Sequence, residues 1–234
     1  MAINAGPKIE IDDLDFVLDA ANPRSYPRNG SNWKGLKRKN NFALTNNPSF
    51  NAANGGFFTF DGTDDYVDLG DLSSQLSNVT QYSIGCWFYQ NTLDVHAGIL
   101  GRPSAAATPS IHTAQGGWMG FSVHNSRRTK GKIDDYSTVI SAGEWAHVFM
   151  VYNGSLTGNS ERLKVFINAK QITLSYVNTI PSSTGTVTQT DFVLGKQHSG
   201  LHLNGGISNF KIYKRALSAR RILGNYEATV GRYS

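Results

Sequence analysis

Cysteine is nearly absent: Cys86 is the only one in 234 residues. No intrachain disulfide can form, although secreted sandwiches of this size often carry one. Glutamate is scarce as well, limited to Glu10, Glu144, Glu161 and Glu227. Glycoside hydrolysis needs two carboxyl groups held a few ångströms apart. Only Glu10 has an acid two residues away on a strand-like segment, Asp12, at the chain start. No Gly-x-Ser-x-Gly elbow supports acyl transfer. The six histidines show no metal-binding spacing. His198 and His202 are four apart but lie in a glycine-containing turn region, and they read as loop residues. No apolar run is long enough to span a bilayer. The segment MAINAGPKIEIDDLDF has no basic stretch followed by an apolar one, so it does not read as an export leader. There is no internal repeat and no linker. These absences predict a non-enzymatic protein made in a reducing cytoplasm, with no membrane span and no ordinary export route.

What is present fits many short strands. Glycine is abundant at 24 residues, and aromatics make up 11%. Gln81–Gln90 reads as a strong strand, with Tyr82, Ile84, Cys86 and Phe88 on one face and Trp87 and Tyr89 on the other. Glu144–Tyr152 is apolar on both faces, as in a central strand of a covered sheet. Further strands are expected at 9–19, 42–44, 97–101, 117–124, 132–139, 192–195 and 206–213, with a hairpin over 163–175. Residues 72–79 read as one helical turn, and 102–115 and 179–189 as loops. Leu217–Glu227 reads as the one real helix, with Ser218 as its N-cap and Leu217, Ile222, Leu223 and Tyr226 on one side. The pattern predicts an all-β, two-sheet antiparallel sandwich with a short C-terminal helix. It is read as one domain over 1–234: an N-terminal arm, first strand and long loop over 1–54, then a core sandwich and closing helix over 55–228.

Gly55–Asp71, GGFFTFDGTDDYVDLGD, is the most informative stretch. Two alternating runs joined by Gly62–Asp65 predict a β-hairpin over 57–70. Asp61, Asp64 and Asp65 share its turn. Their carboxylates suit either Asx-type bonds to turn amides or a hard cation such as Ca²⁺; the twelve-residue EF-hand spacing is absent.

The net charge is +5 and is segregated. Glu10, Asp12, Asp13, Asp15 and Asp19 make the start acidic. Arg24, Arg28, Lys34, Lys37, Arg38 and Lys39 form one basic run; Arg127, Arg128, Lys130 and Lys132 a second; Lys211, Lys214, Arg215, Arg220, Arg221 and Arg232 a third. Such segregation suits docking to other protein subunits. No nucleic-acid motif interleaves aromatics with the basic residues.

Several segments resemble one family in the same order along the chain. FDGTDDYV, YSIGCWFY, GEWAHVFMVYNG, LKVFINAKQI and GGISNFKIYKRALSARRI resemble the laminin-G-like jelly rolls of the concanavalin A-like lectin/glucanase group. The resemblance implies that Trp87 and Trp145 are packing residues, and it brings Ca²⁺ near a sandwich rim, at Asp61, Asp64 and Asp65, into the expectation. DAANPRSYP and ILGNYEATVGRYS resemble a subset of these domains in tailed-bacteriophage virion proteins. That implies a surface-exposed virion structural protein, a head or neck decoration or a tail appendage. Its partners would be other virion proteins, and it would be homo-oligomeric in the particle. The alternative is a carbohydrate-binding module of a bacterial surface protein. Glycan binding needs exposed aromatics beside polar groups. Trp33 and Trp118 are the freer tryptophans, and Trp118 with Tyr136 is the expected glycan site.

Overall fold

Alternation of apolar side chains fixes two sheets, because each strand must bury one face against the other sheet. The computed structural model describes residues 7–37, 40–102, 109–123, 129–187, 191–198 and 200–234. The strands are β1 (Leu14–Asp19), β2 (Asn32–Lys34), β3 (Asn41–Thr45), β4 (Ser49–Asn51), β5 (Phe57–Asp61), β6 (Tyr66–Gly70), β7 (Gln81–Gln90), β8 (Ala97–Gly101), β9 (Ser110–Ala114), β10 (Trp118–Ser122), β11 (Lys130–Ile133), β12 (Ala146–Asn153), β13 (Leu163–Ile167), β14 (Lys170–Ile172), β15 (Ser175–Val177), β16 (Phe192–Leu194) and β17 (Asn204–Tyr213). Helices are α1 (Ser73–Leu76), α2 (Asn159–Arg162) and α3 (Ala219–Glu227).

One sheet runs β14-β13-β12-β7-β17-β5-β4, with β1 also paired to β17. The other runs β15-β11-β10-β9-β8-β16-β6-β3-β2. All pairings among the described residues are antiparallel. Between the sheets lie Tyr82, Ile84, Cys86 and Phe88 of β7, the face expected from the alternation, against Ile111, Met119, Phe121 and Leu194. The sandwich with a C-terminal helix is thus the observed architecture.

Four expectations need correction. The run 57–70 is not a hairpin: β5 pairs with β4 and β17, whereas β6 pairs with β3 and β16 in the other sheet. Its turn crosses the sandwich rim, because both strands bury apolar alternates in the same inter-sheet core. The long excursion after β1 is not loop alone, since β2, β3 and β4 lie within it and pair into both sheets. Residues 102–115 are not all loop either; β9 carries five buried residues. Finally, Trp33 is fully buried against Phe58, with ring centroids 4.8 Å apart, while Trp145 is only half-buried.

The sheet holding β7 is apolar on its outer side too. Phe149, Val151, Phe166 and Tyr213 there are covered by Leu217 and Ile222. Gly85 is bare because a Cβ would meet the Phe149 ring at 2.4 Å. Trp87 stacks on Tyr233 at 4.1 Å, and its indole N–H donates to the Thr229 hydroxyl at 2.8 Å. The C-terminal tail therefore seals this face. On α3, Ile222 and Asn225 are buried, but Leu223 is exposed. Ser218 stands at the N-cap without a side-chain bond.

The segregated charges meet within the chain. Lys214 pairs with Asp15 at 3.2 Å, Arg215 with Asp13 at 3.4 Å and Arg232 with Asp19 at 3.1 Å. Arg221 pairs with Glu10 and with Asp12. The acidic start and the third basic patch thus tie the two ends of the chain together, so for that patch the segregation is accounted for within the chain. Of the other basic runs, Arg38, Lys39, Arg127 and Arg128 lie outside the described residues.

Beneath the tail, Lys211 is buried and donates to the Asn209 side-chain oxygen at 2.9 Å. Burial pulls its pKa down to about 8, partly opposed by the charge of Asp19. His147, enclosed by Trp87, Phe149 and Tyr226, is held well below the usual histidine range by burial and by Lys211. The unfolded lysine keeps its proton to about pH 10.4, so between about pH 8 and 10 this site adds stability as pH rises, while Cys86, whose buried thiol is pushed up to about 12, removes it above about pH 8.5, where an unfolded thiol ionises. Above about pH 10 Tyr152 and Tyr233 add to that fall, because burial keeps them protonated to about 12 while unfolded tyrosines ionise near 10. In urea unfolding Lys211→Met should be more stable than wild type at pH 7 by on the order of 2–3 kcal/mol, an advantage that shrinks between about pH 8 and 10. An unchanged pH profile would refute the buried ammonium. Trp87→Ala should cost roughly 3–5 kcal/mol, and half-buried Trp145→Ala only about 1–2 kcal/mol. Equal losses would contradict the unequal burial.

Candidate functional site

Two surface features gather the residues singled out from the sequence. The first is the rim turn between β5 and β6. Gly62 takes φ +80° there, with Asn204 so close that a Cβ would meet it at 2.8 Å. One Asp61 oxygen accepts the Thr63 amide at 2.7 Å and the Asp64 amide at 3.3 Å. Asp65 is buried and accepts the Asp61 amide at 3.1 Å. Carboxylate oxygens of Asp61, Asp64 and Asp65 lie within 4.8 Å of one another. The Thr63 amide lowers the Asp61 pKa. Burial raises that of Asp65 to about 6, and the charges of Asp61 and Asp64 add to the rise. The turn thus already makes its Asx-type bonds, and it concentrates negative charge on hard oxygen donors.

The second feature lies on the outer face of the other sheet. Trp118, Gly120 and Ser122 of β10 share that face, because Met119 and Phe121 point into the core. Gly120 sits opposite His112 of β9 and Lys132 of β11, and Ser122 opposite Lys130. A Cβ on Gly120 would come within 2.9 Å of both the His112 ring and Cζ3 of Trp118. The missing side chain lets the indole lie against the sheet. Lys130 Nζ stands over that ring at 4.2 Å from its centroid, and Lys132 Nζ at 5.5 Å. One wall is the segment after β16. A Cβ on Gly98 would meet the Gln197 amide nitrogen at 2.0 Å, and one on Gly101 would meet the Gln197 Cα at 2.4 Å. Only bare backbone on β8 admits this crossing. The result is a groove of about 200 Å³ lined by His96, His112, Trp118, Lys130, Gln197, His198 and Leu201.

Trp118 is therefore half-exposed on a shaped floor. Tyr136 is not beside it as a second platform. Its ring is buried and its hydroxyl accepts the Asp94 amide at 2.8 Å. Tyr136 instead anchors the adjoining loop, where its own amide donates to the Gly117 carbonyl at 2.9 Å. His198 and His202 part company: His198 lines the groove, while the His202 ring faces the Asp65 carbonyl at 3.4 Å. His112 was missed because 102–115 read as loop; the alternation Ser-Ile-His-Thr-Ala was its signal. Lys130 and Lys132 were read only as charge, although spacing of two on a strand places both on one face. The glutamates lie elsewhere: Glu10 pairs with Arg221, Glu161 with Lys164, and Glu144 and Glu227 are exposed off the strands. No described helix is long and apolar enough to cross a membrane.

The fold is a concanavalin A-like jelly roll. The chain belongs to the concanavalin A-like lectin/glucanases superfamily, whose laminin-G-type profile matches residues 61–223. Similar solved structures include the botulinum neurotoxin serotype D binding domain, at 13% identity and TM-score 0.68. The match covers 94% of this chain and 51% of that one. The same toxin domain in complex with N-acetylneuraminic acid matches at 14% identity and TM-score 0.67, over 94% and 52% of the two chains. A Trypanosoma rangeli sialidase in complex with sialic acid matches at 12% identity and TM-score 0.66, over 97% of this chain and 34% of the sialidase. This chain thus spans about a third to a half of these proteins, and at such identities the likeness is one of fold. No curated protein matches the chain in sequence.

Proposed function

We propose that this protein is a non-enzymatic, glycan-binding jelly roll carried on the exterior of a tailed bacteriophage particle, as a head or neck decoration or a tail appendage. It would be made in the host cytoplasm, assemble as a homo-oligomer with other virion proteins, and touch host or environmental glycans. The observation that carries glycan binding is the groove floored by Trp118, which joins a half-exposed indole to amide, imidazole and ammonium groups, the mixture sugar recognition uses. The virion reading is supported by the two segments that resemble phage proteins. They lie at opposite ends of the chain and meet through Arg232 and Asp19. A carbohydrate-binding module of a bacterial surface protein is the second reading, favoured by the partial coverage of the similar structures, in which this fold is one portion of a longer chain. Electron microscopy of purified particles with mass spectrometry separates the two. Loss of glycan-array signal in Trp118→Ala tests the groove, and an unchanged signal would remove it as the site.

Catalysis would need an acid and a nucleophile held together on rigid strands, and the described groove lining contains no carboxylate. We expect no turnover of β-glucans, alginate or sulfated galactans. Steady release of reducing ends that survives repurification and is lost on mutating one carboxylate would overturn this.

For the rim turn we propose a structural Ca²⁺. Asp61, Asp64 and Asp65 offer the hard oxygen donors such an ion takes, and its charge would offset the burial, and the lesser charge crowding, that raise the Asp65 pKa. Millimolar Ca²⁺ should raise the melting temperature in wild type but not in Asp61→Asn. Equal effects of Mg²⁺ and Ca²⁺, or none in wild type, would count against the ion.

A further inference from the structure

The lysines over Trp118 bear on which sugars the groove accepts, an inference that rests on the glycan-binding reading above. Sugar stacking requires an open indole face, yet Lys130 Nζ stands over this one at 4.2 Å from the centroid, with Lys132 Nζ at 5.5 Å. The β10–β11 register fixes the arrangement, since Gly120 faces Lys132 and Ser122 faces Lys130. Gly120 lets the ring lie low enough for both stems to reach over it. Among the described residues, the ionisable side chains that line the groove are Lys130 and the imidazoles of His96, His112 and His198. The nearby carboxylate of Asp134 pairs with Lys132 at 3.1 Å, also accepts the Ser175 hydroxyl at 2.8 Å, and is not part of the lining. The groove is therefore cationic.

A neutral sugar must displace an ammonium from the indole and gains nothing from it. A sugar bearing an anionic group draws that ammonium onto the anion as a charge-assisted hydrogen bond and in the same movement uncovers the ring. The displacement that opposes one ligand supports the other, and specificity is the difference between the two.

We propose that the groove takes an anionic sugar residue, carboxylated or sulfated, stacked on Trp118 with Lys130 as the partner of its anionic group and Lys132 beside it.

The test is calorimetric titration of the whole chain with a trigalacturonate, its methyl ester and a sulfated galactan oligosaccharide of matched length. Oligothymidylate serves as a non-sugar polyanion. Titrations are run at low (about 20 mM) and near-physiological (about 150 mM) salt. At least one acidic sugar should bind roughly tenfold or more tightly than the ester, and the preferred one identifies the anion. Lys130→Gln should erase that preference while keeping or improving ester binding; Lys130→Arg should restore it. Trp118→Ala should lose acid and ester alike. Circular dichroism and melting temperature confirm that each variant is folded, and Lys132→Gln supplies a second, weaker reduction in preference. Equal binding of acid and ester would overturn the inference and leave the glycan reading standing. Binding of none of the three sugars would overturn both. Oligothymidylate binding as tightly as the acidic sugar would show a general polyanion patch and refute the sugar assignment.

Discussion

The sheet built around β7, β12 and β17 is apolar on both faces, and much of the molecule answers that one constraint. Packing against the second sheet satisfies only the inner face. Phe149, Val151, Phe166 and Trp87 on the outer face need a separate cover, supplied by α3 and the tail that follows it. A helix of nine residues has little stability of its own in water. Its place is fixed by Thr229 and Tyr233 against Trp87 and by the ion pairs from the acidic segment before and within β1. Lys211 and His147 are trapped under this cover. Their altered proton affinities follow from the same burial that holds the face together.

The opposite sheet solves a different problem with the same material. Its inner face is apolar, but its outer face carries His112, Trp118, Lys130 and Lys132 and is shaped by omission. Gly98 and Gly101 let a backbone segment cross over the strands, and Gly120 lets an indole lie down on them. Side chains at these three positions would close the groove from below. The segment that crosses also links the two candidate sites, with His198 on the groove side and His202 against the acidic turn.

How far the sequence carried the reading depends on which property was asked of it. Faces were legible: the alternation in β7 and the two-sided apolar pattern of β12 placed their side chains correctly, because a strand repeats every two residues. Partners were not. FDGTDDYV has the alternation and turn residues of a hairpin, but nothing local states that its strands belong to different sheets. Composition misled at β9, where surrounding proline, alanine, serine and threonine masked five buried residues. The tryptophans show the same limit. Trp33 lies in a polar stretch and is buried against Phe58, whereas Trp145 lies in an apolar one and stays half-exposed among Phe57, Tyr89 and Tyr233. Burial there is decided by packing from elements distant in the chain, Phe58 over Trp33 and Phe57 with Tyr233 beside Trp145. The charge segregation was legible, but its meaning was long-range: acids near residue 15 meet bases near residue 215 only because β1 pairs with β17.

Pairing of the chain's two ends has a consequence for orientation. The acidic start and the tail close over the outer side of the sheet that contains β17, and the Trp118 groove opens on the outer side of the other sheet. The full thickness of the sandwich separates them. A partner docked over the acidic segment or the tail meets the back of the molecule, and the groove looks away from it.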